Sequence, residues 1–218
     1  MTTPRLRSLD PPHKGLRNAL SQLCLLAGKT HFGTPSEVLK LQALGKEVFH
    51  LLEDHTHTED NFILAPLEAK IPGSTSHETE DHVLITKEEI GLKNRLMAYD
   101  GNQTEEDGHD FYLQLTEFHS RYLEHIAHED RVTEPMMQEN FTDEELIGHQ
   151  VVIMQQMDFN TLLLWFKFIV PARRMEENSQ VLTAFKANAP AAAFDEVAQQ
   201  IREVLPAAEF ETLMHTLQ

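Results

Sequence analysis

Apolar residues recur along this chain at alternating steps of three and four, the spacing that lines one face of an α-helix. The first such run goes from the Pro11-Pro12 pair to Gly28 and carries His13, Leu16, Leu20, Leu23 and Ala27 on one face. Gly33, Thr34 and Pro35 interrupt it, and Ser36 is the expected N-cap of a second helix, with Pro35 just outside. That helix presents Leu41, Leu44, Val48, Leu52, His55, Glu59 and Phe62, and Pro72, Gly73 and Ser74 punctuate the chain after it. A third run, about 76–99, holds His82, Ile85, Leu92, Leu96 and Tyr99, with Glu89 where the stripe should be apolar. After the polar loop DGNQTEEDG comes the cleanest stripe: Phe111, Leu115, Phe118, Tyr122, His125, Glu129, Val132 and Met136. No stretch sustains a period of two, so the fold class is all-α. Four amphipathic helices with short connections predict an antiparallel up-down-up-down four-helix bundle over residues 1–140.

Beyond Asn140 the pattern changes. Thr142 and Glu145 have the spacing of a capping box, opening a helix expected to end near Pro171. Two further helices are expected around 175–188 and 192–217, with Pro190 and Pro206 as breakers. Residues 141–218 therefore read as additional C-terminal helices packed on the bundle. The alternative role for them is a dimer or partner contact.

Bulk properties narrow the function by exclusion. The 218 residues suit one compact domain with a modest extension. Thirty-five acids against 18 bases give a formal charge of −17, which opposes nucleic acid and anionic membrane as partners. The most apolar run, LLLWFKFIV from Leu162, is too short to span a bilayer. The N-terminal stretch has two arginines but no apolar run after them, so a cytoplasmic protein without a secretion signal is expected. The single cysteine, Cys24, excludes an internal disulfide and a thiolate metal cage, and its apolar neighbours suggest a buried, inert thiol. The unusual count is 13 histidines, side chains that bind metals and titrate near neutrality.

Two of these histidines interrupt apolar stripes in the same way. His55 with Glu59, and His125 with Glu129, each form an HxxxE pair whose members share one helical face. Such a short motif recurs by chance. Its position here carries the weight, because a buried unpaired carboxylate is costly and a cation is the simplest compensator. The pattern also repeats. His13 precedes His55 by 42 residues and His82 precedes His125 by 43, so a His…HxxxE unit recurs at an offset of about 70. Climbing from His82 to Tyr99 and descending from Gly108 to His125 each covers roughly 25 Å at about 1.5 Å per residue, so the two histidines return to one level of an antiparallel pair. His13, His55, Glu59, His82, His125 and Glu129 should thus converge near one end of the core. Four imidazoles and two carboxylates exceed a tetrahedral zinc site and suit iron or manganese better. The two glutamates can bridge two metals, with two histidines completing each and positions left for a small ligand.

This arrangement resembles the hemerythrin-like, or HHE cation-binding, family over residues 11 to about 140. The resemblance implies a four-helix bundle with a non-haem di-iron centre. Its ligands would be His13, His55, Glu59, His82, His125 and Glu129, with Glu59 and Glu129 bridging. Two iron ions are the implied cofactor, with manganese or zinc as substitutes, and the implied partner is a diatomic molecule or peroxide. Oxygen-carrying hemerythrins have a fifth histidine four residues before the third-helix ligand and HxxxxD on the fourth helix. Here those features are Glu78 and HxxxE. The pattern is closer to bacterial HHE proteins proposed to handle nitric oxide, peroxide or iron delivery. Two readings follow: a di-iron protein, and if an enzyme an oxidoreductase, that binds or reacts with O2, peroxide or nitric oxide; or a non-catalytic metal binder for iron handling, sensing or partner interaction.

Other polar residues near the motif are weighed against it. His57 and His128 lie off the stripe and are expected to be exposed or supporting, and Asp54 and Asp60 to be solvated. His31, His50, His77 and His119 are expected to be solvated or capping. Glu78 and Glu89 have three readings: an extra oxygen ligand, an acid lining an access channel, or a surface residue.

Overall fold

The structure is a computed structural model that describes residues 5–217, so the first four residues of the N-terminal stretch lie outside it. Four long helices form the bundle: α1 (Asp10–Ala27), α2 (Pro35–Glu59), α4 (Ser76–Met97) and α5 (Glu105–Arg131). α1 packs against α2 and α5, and α4 packs against the same two, which closes a square of helices. Leu20, Leu52, Leu96, Phe111 and Phe118 are among the side chains that fill its centre. No strand occurs among the described residues, as the all-α fold class requires.

Helix starts follow local chemistry. Pro35 is the first residue of α2, and Thr34, in extended conformation, precedes it as the cap in place of Ser36. Proline suits that position because its missing N–H would have no helical partner there. Thr104 and Asp107 make a reciprocal capping box at the start of α5. Just before it, Gly101 has a left-handed φ of 87°, and a Cβ there would run into Pro35.

Two stripes stop earlier than their periodicity suggests. α2 passes after Glu59 into a π-helical turn, Asp60–Leu64, and then into α3 (Ala65–Lys70). The wider turn accommodates Pro66, whose ring would otherwise meet the carbonyl four residues back. It also shifts the phase. Ile63, Leu64 and Leu67 become the buried residues, while Phe62 is only half-buried. α5 ends at Arg131 and α6 (Thr133–Asn140) follows, so Val132 is exposed and Met136 half-buried. Pro135 plays there the part that Pro66 plays in the first half.

The helix expected from 143 to 171 is split into α7 (Asp143–Gln156) and α8 (Phe159–Ile169). Asp158 breaks it, its side chain accepting the N–H groups of Asn160 and Thr161 as a new N-cap. The expected capping box between Thr142 and Glu145 is present. α9 (Met175–Asn188) follows, and Pro206 divides the last segment into α10 (Ala191–Val204) and α11 (Ala207–Thr216). α8 lies along α1, and its Trp165 and Phe168 enter the bundle core. Its Phe166 turns the other way, toward Leu182, Val197, Ile201 and Leu213 of α9 to α11. Gly15 permits this approach, since a Cβ there would lie 2.7 Å from Ile169 Cγ1. No described helix is long and apolar enough to cross a membrane.

Candidate metal centre

The antiparallel order places the N-terminal turns of α1 and α4 beside the C-terminal turns of α2 and α5. His13, His82, and the two HxxxE pairs therefore meet at one end of the bundle. Two groups of potential ligand atoms result, one from His13, His55, Glu59 and Glu129, the other from Glu59, His82, His125 and Glu129, each within a span of 4.8 Å. Both glutamates belong to both groups. All six residues are 4% exposed or less.

The imidazoles aim Nε2 inward. His13 Nε2 lies 3.5 Å from Glu59 Oε1 and 3.4 Å from Glu129 Oε2. His55 Nε2 is 3.3 Å from Glu59 Oε2, and His82 Nε2 is 3.4 Å from the same oxygen. His125 Nε2 is 3.4 Å from Glu129 Oε1. Nε2 of His13, His55 and His82 and all four glutamate oxygens are buried without a hydrogen-bond partner among the described residues. Orphaned buried polar atoms are rare and costly. Seven of them converging on one point are the donor set a cation satisfies, so the residues present fit a bound metal ion.

Asp60 and Asp130 differ from expectation. Asp60 is not simply solvated; its Oδ1 accepts from His82 Nδ1 at 2.7 Å. Asp130 Oδ1 takes His13 Nδ1 at the same distance, and Arg17 donates to its other oxygen. These bonds fix the proton on Nδ1 and leave the Nε2 lone pair facing the centre. A signal for them was present in the sequence. HxxxED occurs twice, and Asp60 and Asp130 sit at the same offset of 70 as the glutamates. Asp54 is likewise engaged, accepting the indole N–H of Trp165 at 2.8 Å, while that ring packs edge-on against His55. His125 Nδ1 faces Asp81 at 3.6 Å.

Electrostatics follow from this crowding. Burial works against charge on His13, but Asp130, Glu129 and Glu59 outweigh it and raise its pKa well above the usual histidine value. Burial also opposes the His82 charge, yet Glu129, Glu59 and Asp60 lift it to about 11. His55 drops to about 4, because burial, reinforced by the charge on His13, outweighs Glu59. Burial pushes Glu59 up, but His55, His13 and His82 hold it well below the carboxylate range.

Other candidates fall outside the two groups. Glu78 is buried but turns away, accepting the Thr133 hydroxyl at 2.5 Å with His128 Nε2 at 3.5 Å. Glu89 is buried too, and burial followed by the nearby Glu53 charge pushes its pKa to about 8. The Tyr122 hydroxyl, whose ring lies against His125, is buried without a partner among the described residues. His57 and His31 are exposed. His50 bonds Thr161, His77 packs on His128, and His119 contacts Cys24. Cys24 itself is half-buried, and burial raises its pKa to about 11, which keeps the thiol protonated.

A helical bundle whose core ends in two buried His/Glu clusters defines a metal-binding protein. The hemerythrin HHE cation-binding domain matches residues 5–137, and the chain belongs to that family. No curated protein and no solved structure gives a significant match.

Proposed function

We propose that the chain is a non-haem di-iron protein whose carboxylate-bridged centre binds or reacts with a small ligand such as O2, peroxide or nitric oxide. The observation that carries this reading is that Glu59 and Glu129 each reach both histidine pairs, leaving every carboxylate oxygen unpartnered. His13 and His55 would hold one iron, His82 and His125 the other, with Glu59 and Glu129 between them. Iron held by four imidazoles and two carboxylates offers positions for a diatomic or peroxide and the electrons to reduce it.

The protein's own residues prepare this. Asp60 and Asp130 lock two imidazoles in the ligating tautomer, Trp165 braces His55, and all six ligating side chains are nearly fully buried. The test is metal quantification of the wild type beside Glu59→Ala. About two irons per wild-type chain, with loss of iron and of thermal stability in the variant, is expected, since truncation strands the other ligands without their cation. Equal metal content and stability would sink the assignment. Anaerobic loading with ferrous iron, then O2, peroxide or nitric oxide, should give absorption changes with turnover. An inert bound metal would point instead to iron handling or sensing.

A further inference from the structure

Outside the bundle core, a cleft of about 970 Å³ opens between the start of α1, the end of α2 and the C-terminal helices. His55 and Glu59 of the candidate metal centre are among the residues that line it. One wall is apolar: Met157, Leu162, Trp165, Ile169, Val181 and Leu182. The lining also includes Arg7, Lys14, Arg173 and Arg174, together with Arg5, which Asp143 already pairs, a concentration of positive charge on a chain of formal charge −17. Two further lining carboxylates do not answer this charge: Asp54 accepts from Trp165, and Glu59 faces the imidazoles of the candidate metal centre.

Arg173 is the residue that demands a partner. Its side chain is 10% exposed, yet its Nε–H is buried without a hydrogen-bond partner among the described residues. The carboxylate it faces, Glu177 Oε2, is 3.7 Å away and is shared with Lys14, while Arg174 takes the other oxygen. Lys14 also pairs with Asp10, so three cations have two carboxylates between them. One more buried polar atom in a residue that lines the cleft, the Ser8 hydroxyl, also lacks a partner among the described residues and can donate. A buried guanidinium N–H short of an acceptor is costly, and the planar fork it belongs to matches a carboxylate through two parallel bonds.

We propose that this cleft binds an organic carboxylate, with its head on Arg173 and its apolar body along Trp165, Ile169 and Val181. A cleft of this size holds a ligand well beyond a diatomic molecule. Such a ligand would lie beside His55 and Glu59, so occupancy of the cleft controls one approach to the centre. The binding itself depends on Arg173 and the apolar wall, and it stands apart from which small molecule the centre handles.

Trp165 is the only tryptophan in the chain, which makes its fluorescence a direct probe. The experiment titrates the protein as isolated, its metal content measured separately, with decanoate, decanol and decyltrimethylammonium. Decanoate should give a saturable change in Trp165 emission, with decanol about tenfold weaker or more and the cation without effect. Arg173→Leu should weaken decanoate about tenfold or more while leaving decanol unchanged, and Arg173→Lys should restore part of the loss. Should Arg173→Leu lose its helical signal, Val181→Glu at a 38% exposed position tests the wall instead, with weaker decanoate binding expected. No saturable decanoate signal, equal binding of decanol, or wild-type affinity in a folded Arg173→Leu or Val181→Glu variant would overturn the proposal.

Discussion

Replacing Glu89 with glutamine should stabilise the protein, and by more as the pH rises. Glu89 sits in the α4 stripe at 4% exposure, where burial and then the Glu53 charge, against a smaller opposing pull from Lys93, raise its pKa from 4.5 to about 8. Below pH 4.5 the carboxyl is protonated in both folded and unfolded chains, and the group's contribution to stability is fully present. Between 4.5 and about 8 the unfolded chain has released the proton and the folded one retains it, so stability falls as pH rises. Above about 8 the loss is complete. Each tenfold in proton affinity is worth about 1.4 kcal/mol, so this carboxyl costs the wild type roughly 3–4 kcal/mol by pH ~7.5. Glutamine keeps the shape and cannot ionise. Urea unfolding of both proteins, freed of metal by chelation, at pH ~5, ~6.5 and ~8 isolates the term, because the imidazoles are common to both. The stability difference between variant and wild type should grow across that range. A difference that stays constant with pH would refute the reasoning.

Further outcomes can be checked separately. Asp60→Ala, by freeing the His82 ring, should weaken metal binding about 10–100-fold in competition with a chromophoric chelator; unchanged affinity would show that the 2.7 Å contact does not support the centre. Gly101→Ala combines a left-handed backbone with a collision against Pro35, and should cost about 2–4 kcal/mol in chemical denaturation. Phe168→Ala should cost about 3–5 kcal/mol, because this fully buried ring of α8 fills the bundle core; a small loss would mean that α8 adds little to the bundle. Removing metal from the wild type should lower its melting temperature, and readdition of ferrous iron without air should restore it.

The helices that hold the centre were legible because their stripes are long and the polar intruders fall on the buried face. His55 and Glu59, four residues apart and surrounded by Val48 and Leu52, could be read without coordinates. Asp60 could not be read the same way. The repeated HxxxED spacing singles it out, but one residue past Glu59 it leaves the stripe of its own helix, and the placement of α4 supplies its partner, His82. The helix interruptions after Glu59 and Arg131 were hidden because a stripe counts residues but not backbone hydrogen bonds. Pro66 and Pro135 marked the spots, yet a widened turn and a broken helix look alike in a sequence. The cleft is wholly tertiary: Arg173, Trp165 and His55 belong to three distant segments that nothing in their local pattern joins.

The crossed aspartates bear on how the molecule could be divided. Asp60, from the first half, holds His82 of the second, and Asp130, from the second, holds His13 of the first. Each four-residue group likewise takes three residues from one half and a single glutamate from the other. A chain severed in the 71–75 turn would yield two fragments with matching inventories, neither holding a complete set. Metal capture by such fragments should behave as a logical conjunction, absent from each alone and restored on mixing. That behaviour would make the centre a built-in reporter of whether the two halves have met.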